Sequence, residues 1–224
     1  MTYKLPANVL DRQWKIDVST LERQAHWQNV YQTKGERAVS WFQERPDISL
    51  DLIHATGVDA SASIIDIGGG ASRLADALIS EGFKAVAVLD LSEKALATSK
   101  ARLGTKGTQV QWIVADVTNW QPSQTYDVWH DRAALHFLTD PKDRAAYAER
   151  VLNAVRIGGH VIIGTFARDG PERCSGLPVI RHDAATLGEL LGPSFELAET
   201  RLHDHQTPSG VIQRFQFSRF RRAR

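Results

Sequence analysis

Ile64-Ile65-Asp66-Ile67-Gly68-Gly69-Gly70-Ala71-Ser72-Arg73 decides the fold of this 224-residue chain. Isoleucines fill a strand of the buried type, a carboxylate stands near its end, and three glycines then break it. A glycine turn lets backbone come within contact distance of a ligand, because no Cβ intervenes and positive φ costs glycine little. The reading is a nucleotide-like cofactor lying over the turn.

Outward from this stretch, short β-branched runs alternate with longer amphipathic ones, the pattern of a parallel sheet covered on both faces. Strands are expected at 64–67, 85–89, 110–114, 126–129 and 160–165. Helices are expected near 72–80, from Ser92-Glu93 to about Gly104, and over 140–155, where Pro141 sits in the first turn and Gly158-Gly159 lie beyond the end. A loop follows over 169–178, then a short helix over 184–191. Two final strands, 195–202 and 211–220, flank Pro208-Ser209-Gly210 and read as an antiparallel hairpin. Residues 1–60 stand apart as an N-terminal helical lid, helical over 21–31 with a further turn over 38–42. The lid is expected over the carboxyl ends of the strands, where open α/β sheets bind ligands. Residues 61–224 form the cofactor-binding domain.

Composition narrows the class. Lys plus Arg number 27 against 26 Asp plus Glu, a balance that gives no argument for nucleic acid or another polyanion. Arg219, Arg221, Arg222 and Arg224 read as a frayed, solvated terminus. A single cysteine, Cys174, excludes an internal disulfide framework and a multi-cysteine zinc site. No run approaches the ~20 apolar residues of a membrane span, and Met1-Thr2-Tyr3-Lys4-Leu5-Pro6 has no apolar signal core. The expectation is a cytoplasmic protein with no membrane partner and no metal.

The chemistry lies in three acids. In Gly68-x-Gly70-x-x-Arg73 an arginine replaces the third glycine of the dinucleotide fingerprint, which argues against a pyrophosphate there. Asp66 would also repel a pyrophosphate, yet it can accept from an ammonium group, directly or through water. S-adenosylmethionine has that ammonium and no phosphate. Asp90 ends the second strand 22 residues after Gly68, where a carboxylate can accept from both ribose hydroxyls. Asp116 follows the third strand, where it can accept from the adenine amine while Leu91 and Val117 sandwich the ring. Each acid alone reads as a turn residue or helix cap. Three at successive strand ends read as one site.

Ile65-Asp66-Ile67-Gly68-Gly69-Gly70, Leu89-Asp90-Leu91-Ser92 and Ala115-Asp116-Val117 resemble the first three motifs of class I S-adenosylmethionine-dependent methyltransferases. The resemblance spans residues 62–220 and implies a Rossmann-like seven-stranded sheet of order 3-2-1-4-5-7-6, its last strand antiparallel and helices on both faces. Asp131-Arg132-Ala133-Ala134-Leu135, with Asp143-Arg144, Tyr147 and Gly170-Pro171, resembles the thiopurine and tellurite-resistance type, which implies a small-molecule acceptor. His26-Trp27-Gln28-Asn29-Val30-Tyr31 and Trp41-Phe42 are similar instead to lysine methyltransferases acting on translation elongation factors, which implies a protein acceptor. In both, Trp27, Tyr31 and Trp41 would pack aromatic surface against the cofactor.

Methyl transfer from a sulfonium needs alignment and desolvation more than a nucleophile. For a thiol, His130, His136 or Arg132 would favour the anion; for a lysine, Asp131 or a neutral histidine would help remove the proton. Asp131-Arg132 reads equally as a local ion pair. Cys174 reads as a passive loop thiol beside the acceptor entrance, His203-Asp204-His205 as a turn or strand end, and Trp14 and Trp120 as packing residues. Two other classes stay open: a cofactor-binding regulator without turnover, and, more remotely, an NAD-dependent oxidoreductase.

Overall fold

The computed structural model describes residues 18–224; Trp14 and the first six residues lie outside that range. Seven strands form one sheet: β1 (Ser63–Ile67), β2 (Ala85–Asp90), β3 (Val110–Val114), β4 (Tyr126–Arg132), β5 (Val155–Phe166), β6 (Phe195–Gln206) and β7 (Ile212–Arg222). Their spatial order is 3-2-1-4-5-7-6. β1 to β5 pair in parallel, and β7 inserts antiparallel between β5 and β6. This is the expected Rossmann-like arrangement.

Side-chain alternation along the strands makes two cores, one on each face. Ile64, Val86, Val128 and Ile162 face one layer, with α2 (Asp47–His54) and α3 (Leu74–Ser80). Ile65, Ala87, Trp129 and Val161 face the other, with α5 (Pro141–Ala154) and α6 (Ala184–Leu191). Helix starts follow their caps: the Ser92 hydroxyl accepts from Ala95 N at the start of α4 (Glu93–Leu103), and Asp140 accepts from Lys142 N before Pro141. Asp183 and Thr186 form a reciprocal capping box on α6.

Four elements differ from the sequence reading. β4 runs on to Arg132, so His130, Asp131 and Arg132 are strand residues with alternating directions. β5 starts at Val155, directly after α5; the irregular register near Tyr126 and the positive φ of Gly158 absorb the junction. α2 had no counterpart among the expected elements, yet Leu50, Leu52 and Ile53 are core residues. The arginine-rich end is ordered sheet: Arg219 pairs with Glu199 at 3.2 Å, and Arg222 donates to the carbonyls of Leu152 and Val155. Pairing β7 to Arg222 gives these guanidinium groups fixed acceptors, which a frayed tail would lack.

α1 (Val18–Thr33) crosses the carboxyl ends of the strands, followed by a 3₁₀ turn over Glu36–Ala38. Arg73 binds Glu36 at 2.8 Å and also Glu44, while Arg102 binds Glu36 at 3.0 Å and Asp76 at 2.7 Å. This network ties the segment after α1 to α3 and α4. No helix among the described residues is long and apolar enough to cross a membrane.

Candidate active site

A cleft of about 870 Å³, its open mouth included, lies beneath α1 at the carboxyl ends of β1, β2 and β4. Gly68 forms its floor with φ +64°, and a Cβ there would stand 2.7 Å from that of Ala134. Gly70, φ +44°, turns beneath Asp90 and Tyr31; a Cβ would meet the Asp90 carboxylate and the Tyr31 hydroxyl, each at 2.9 Å. The glycines thus let β1, the β4 turn and α1 converge.

Asp90 lines the cavity, and one of its oxygens accepts from Ser92 N at 2.7 Å. Burial raises its pKa to about 7, against the opposing pull of backbone donors at Ser92 and Gly70. Asp116 also lines the cavity, but its oxygens are heavily used. One accepts from Thr118 N at 2.9 Å and the Thr118 hydroxyl at 2.7 Å. The other accepts from Arg23 at 2.6 Å and Thr20 at 3.1 Å. Burial opposes ionisation of Asp116, yet the Thr118 and Arg23 donors win and hold its pKa below the usual value. Leu91 and Val117 stand on the wall between these acids.

Asp66 lies one layer deeper. It is 3% exposed and bonds to His130 Nδ1 at 2.7 Å, while His130 Nε2 meets the Ser49 hydroxyl of α2 at 2.9 Å. Gly69 sits over this carboxylate, where a Cβ would come within 2.5 Å of an Asp66 oxygen. Neither Asp66 nor His130 is on the cavity wall, and their chain of bonds fixes the glycine turn to α2. Arg73, spent on Glu36 and Glu44, also faces away from this cleft.

Asp131 and Arg132 point to opposite faces and form no ion pair with each other. Asp131 accepts from Ala134 N at 2.8 Å, Leu135 N at 3.1 Å and the Tyr147 hydroxyl at 2.7 Å; that hydroxyl in turn accepts from Trp129 Nε1 at 2.9 Å. Burial raises the Asp131 pKa to about 6. These bonds hold the turn in which Ala133, φ +72°, adopts the left-handed conformation that side chains disfavour. Ala133 and Ala134 then present small surfaces to the cavity. Arg132 enters the cavity and donates to Trp41 O at 2.5 Å. Burial pulls its pKa down to about 10.

Aromatic rings close the far end. Trp27 meets Trp41 and Phe137 edge-on, with centroids 5.8 and 4.9 Å apart, and Tyr31 meets Trp41 at 6.1 Å. Phe166, Phe215, Cys174 and Gln213 complete the wall. Burial pushes the Cys174 thiol up to about 11, so it is uncharged at neutral pH. His136 sits behind Phe137 and Phe166, with both ring nitrogens unbonded among the described residues and its pKa lowered to about 3 by burial. It is a neutral ring one layer from the cavity. His203 and His205 share a face of β6, where His205 Nε2 bonds Ser40 O at 2.7 Å; no metal-binding cluster occurs among the described residues.

Of the residues read from sequence, the structure brings together on this wall Trp27, Tyr31, Trp41, Gly68, Asp90, Leu91, Asp116, Val117 and Arg132. Arg23, Phe166, Gln213 and Phe215 join them without a sequence signal, since each belongs to an ordinary helix or strand pattern.

The donor set suits an adenosyl amino acid: two acids at adjacent strand ends, apolar faces between them, and a glycine floor. The fold is that of class I S-adenosylmethionine-dependent methyltransferases. Residues 64–159 match the family model described as "Methyltransferase domain". The eEF1A lysine and N-terminal methyltransferase of Mus musculus is 24% identical over 165 residues, 65% of this chain and 23% of that protein. Trans-aconitate 2-methyltransferase of Azoarcus sp. is 26% identical over 128 residues, 57% of this chain and 48% of that one. The chain therefore spans less than half the length of these curated relatives. Among solved structures, 1,6-didemethyltoxoflavin-N1-methyltransferase of Burkholderia thailandensis, with bound 1,6-didemethyltoxoflavin and S-adenosylhomocysteine, superposes with a TM-score of 0.70. Its identity is 20%, over 92% of this chain and 88% of that one.

Proposed function

We propose that this protein transfers the methyl group of S-adenosylmethionine to a small molecule with a flat, apolar body. The observation that carries the proposal is the roof: α1 lays Trp27 and Tyr31 over a cleft whose end wall is Phe137, Phe166 and Phe215. Such a slot suits a planar ring more readily than a peptide lying in an open groove. The Asp131–Leu135 segment, similar to small-molecule enzymes of the thiopurine and tellurite-resistance type, supports the same reading. The likeness to 1,6-didemethyltoxoflavin-N1-methyltransferase supports it too, and the relationship to trans-aconitate 2-methyltransferase supports a small-molecule acceptor, though not its apolar body.

When bound, the cofactor supplies an electrophilic methyl on a sulfonium. The chain's part is to orient and to dry the site. Asp90 accepts from the ribose, Leu91 and Val117 hold the adenine faces, and the rings of Trp27, Tyr31 and Trp41 exclude water. An aromatic face near a cation contributes about 1 kcal/mol. Alignment of two reactants can reach effective molarities on the order of 10⁵ M, at least ~7 kcal/mol, without any covalent help from the protein. Cys174, uncharged and enclosed, is wall rather than nucleophile.

The relationship to eEF1A methyltransferases favours a second reading, a protein lysine or N-terminal acceptor. Incubation with methyl-labelled S-adenosylmethionine and either a panel of heteroaromatic thiols, amines and acids or a cell lysate separates the two. Label in a small organic product supports the first reading, and label confined to a protein band refutes it.

A further inference from the structure

Two guanidinium groups reach the cavity wall, Arg23 and Arg132. Arg23 is matched by Asp116 at 2.6 Å and Asp143 at 2.5 Å. Arg73, Arg102 and Arg219, comparably enclosed, are matched by Glu36, Asp76 and Glu199. Arg132 is not: no carboxylate among the described residues lies within 4.0 Å of it, and its hydrogen-bond acceptor is the Trp41 carbonyl. A guanidinium offers five N–H donors in a planar fork, so most of its capacity is unspent. Asp66, whose charge it feels, is engaged by His130 at 2.7 Å.

Burying a cation without a counter-ion is unfavourable, and burial here lowers the Arg132 pKa to about 10. The described residues place no carboxylate within 4.0 Å of it, and the group faces a cavity. We propose that Arg132 receives a carboxylate of the bound ligand through its guanidinium fork. The inference rests on the methyltransferase reading of the cleft and adds the charge of what enters it. Arg132 stands one residue beyond Asp131, the register partner of Ile67, and so beside Gly68. It also shares the wall with Phe166 and Phe215. A carboxylate there comes from one of two sources, the amino-acid end of the cofactor or an acidic acceptor.

The test compares wild type with Arg132→Met, which keeps a long apolar stem and removes the fork. Calorimetry is run with S-adenosylhomocysteine and with 5′-methylthioadenosine, which lacks the amino-acid group. Saturation-transfer NMR follows benzoate and benzamide on protein saturated with S-adenosylhomocysteine. A loss of roughly tenfold or more for S-adenosylhomocysteine, with methylthioadenosine unchanged, assigns the carboxylate to the cofactor. Unchanged adenosyl affinities with benzoate signal lost, and benzamide bound equally by both proteins, assign it to the acceptor. Equal weakening of both adenosyl compounds, or no change in either S-adenosylhomocysteine or benzoate binding, overturns the proposal. If Arg132→Met does not fold, Arg132→Lys keeps the charge without the fork, and the same comparisons are read on it. A wild-type protein that binds neither adenosyl compound refutes the methyltransferase reading itself, a result distinct from all of these.

Discussion

Asp90 carries a cost in the free protein that its ligand should recover, and removing its charge exposes that cost. Burial raises its pKa from 3.8 to about 7. The native state therefore holds the Asp90 proton more tightly than the unfolded chain does. Stability falls as pH rises across that interval, and the full penalty stands above pH 7. Three pKa units at about 1.4 kcal/mol each put the penalty on the order of 4 kcal/mol. Asp90→Asn keeps an acceptor for Ser92 N and abolishes the titration. Urea unfolding of the ligand-free protein should show the variant about as stable as wild type near pH 4 and more stable by up to that amount at pH 8. In calorimetry at pH 8, Asp90→Ala should weaken S-adenosylhomocysteine binding by about 1.5–3 kcal/mol, the range for hydrogen bonds to a charged group. Wild-type affinity should itself fall as pH drops below 7. An Asn variant no more stable than wild type at pH 8, or a stability gap that ignores pH, would show that Asp90 carries no burial penalty.

Three further perturbations test the supports of the site. Tyr147→Phe removes a donor from Asp131 and leaves Trp129 Nε1 unpaired; a loss of roughly 2 kcal/mol is expected, and an unshifted urea midpoint contradicts it. Gly164→Ala would place a Cβ 2.5 Å from the Phe217 ring in the paired strand. Overpacking of this kind costs about 1–3 kcal/mol, so a wild-type melting temperature would count against the packing described. Arg23→Met removes the ties from α1 to Asp116 and Asp143. Hydrogen exchange over residues 18–33 should accelerate while β1 and β4 stay protected, and unchanged exchange in α1 would show that the aromatic contacts alone hold it.

The sheet was legible because its strands are dense in β-branched residues and end at glycines or acids, and the antiparallel finish because Pro208-Ser209-Gly210 separates two alternating runs. Boundaries slipped where tertiary pairing extended an element. His130, Asp131 and Arg132 look like a polar loop in sequence, yet His130 and Asp131 have bonding partners on opposite faces of the sheet and Arg132 opens on the cavity. α2 was missed although Pro46-Asp47 gives its start, because its apolar residues were read with the lid rather than with the core. Asp90 and Asp116 could be placed on the cleft from spacing alone. The position of Asp66 beneath Gly69 could not, since only the fold brings Ser49 and His130 to it. The acceptor wall was the least readable part: Phe166, Gln213 and Phe215 come from strands whose patterns record burial and not which cavity a ring faces.

A crystal structure with S-adenosylhomocysteine would show directly whether this cleft holds the adenosyl group. The ribose hydroxyls are expected on Asp90, the adenine between Leu91 and Val117, and the sulfur facing the slot of Phe137, Phe166 and Phe215. An adenosyl group bound elsewhere on the chain, or in the cleft with its ribose away from Asp90, would contradict this placement.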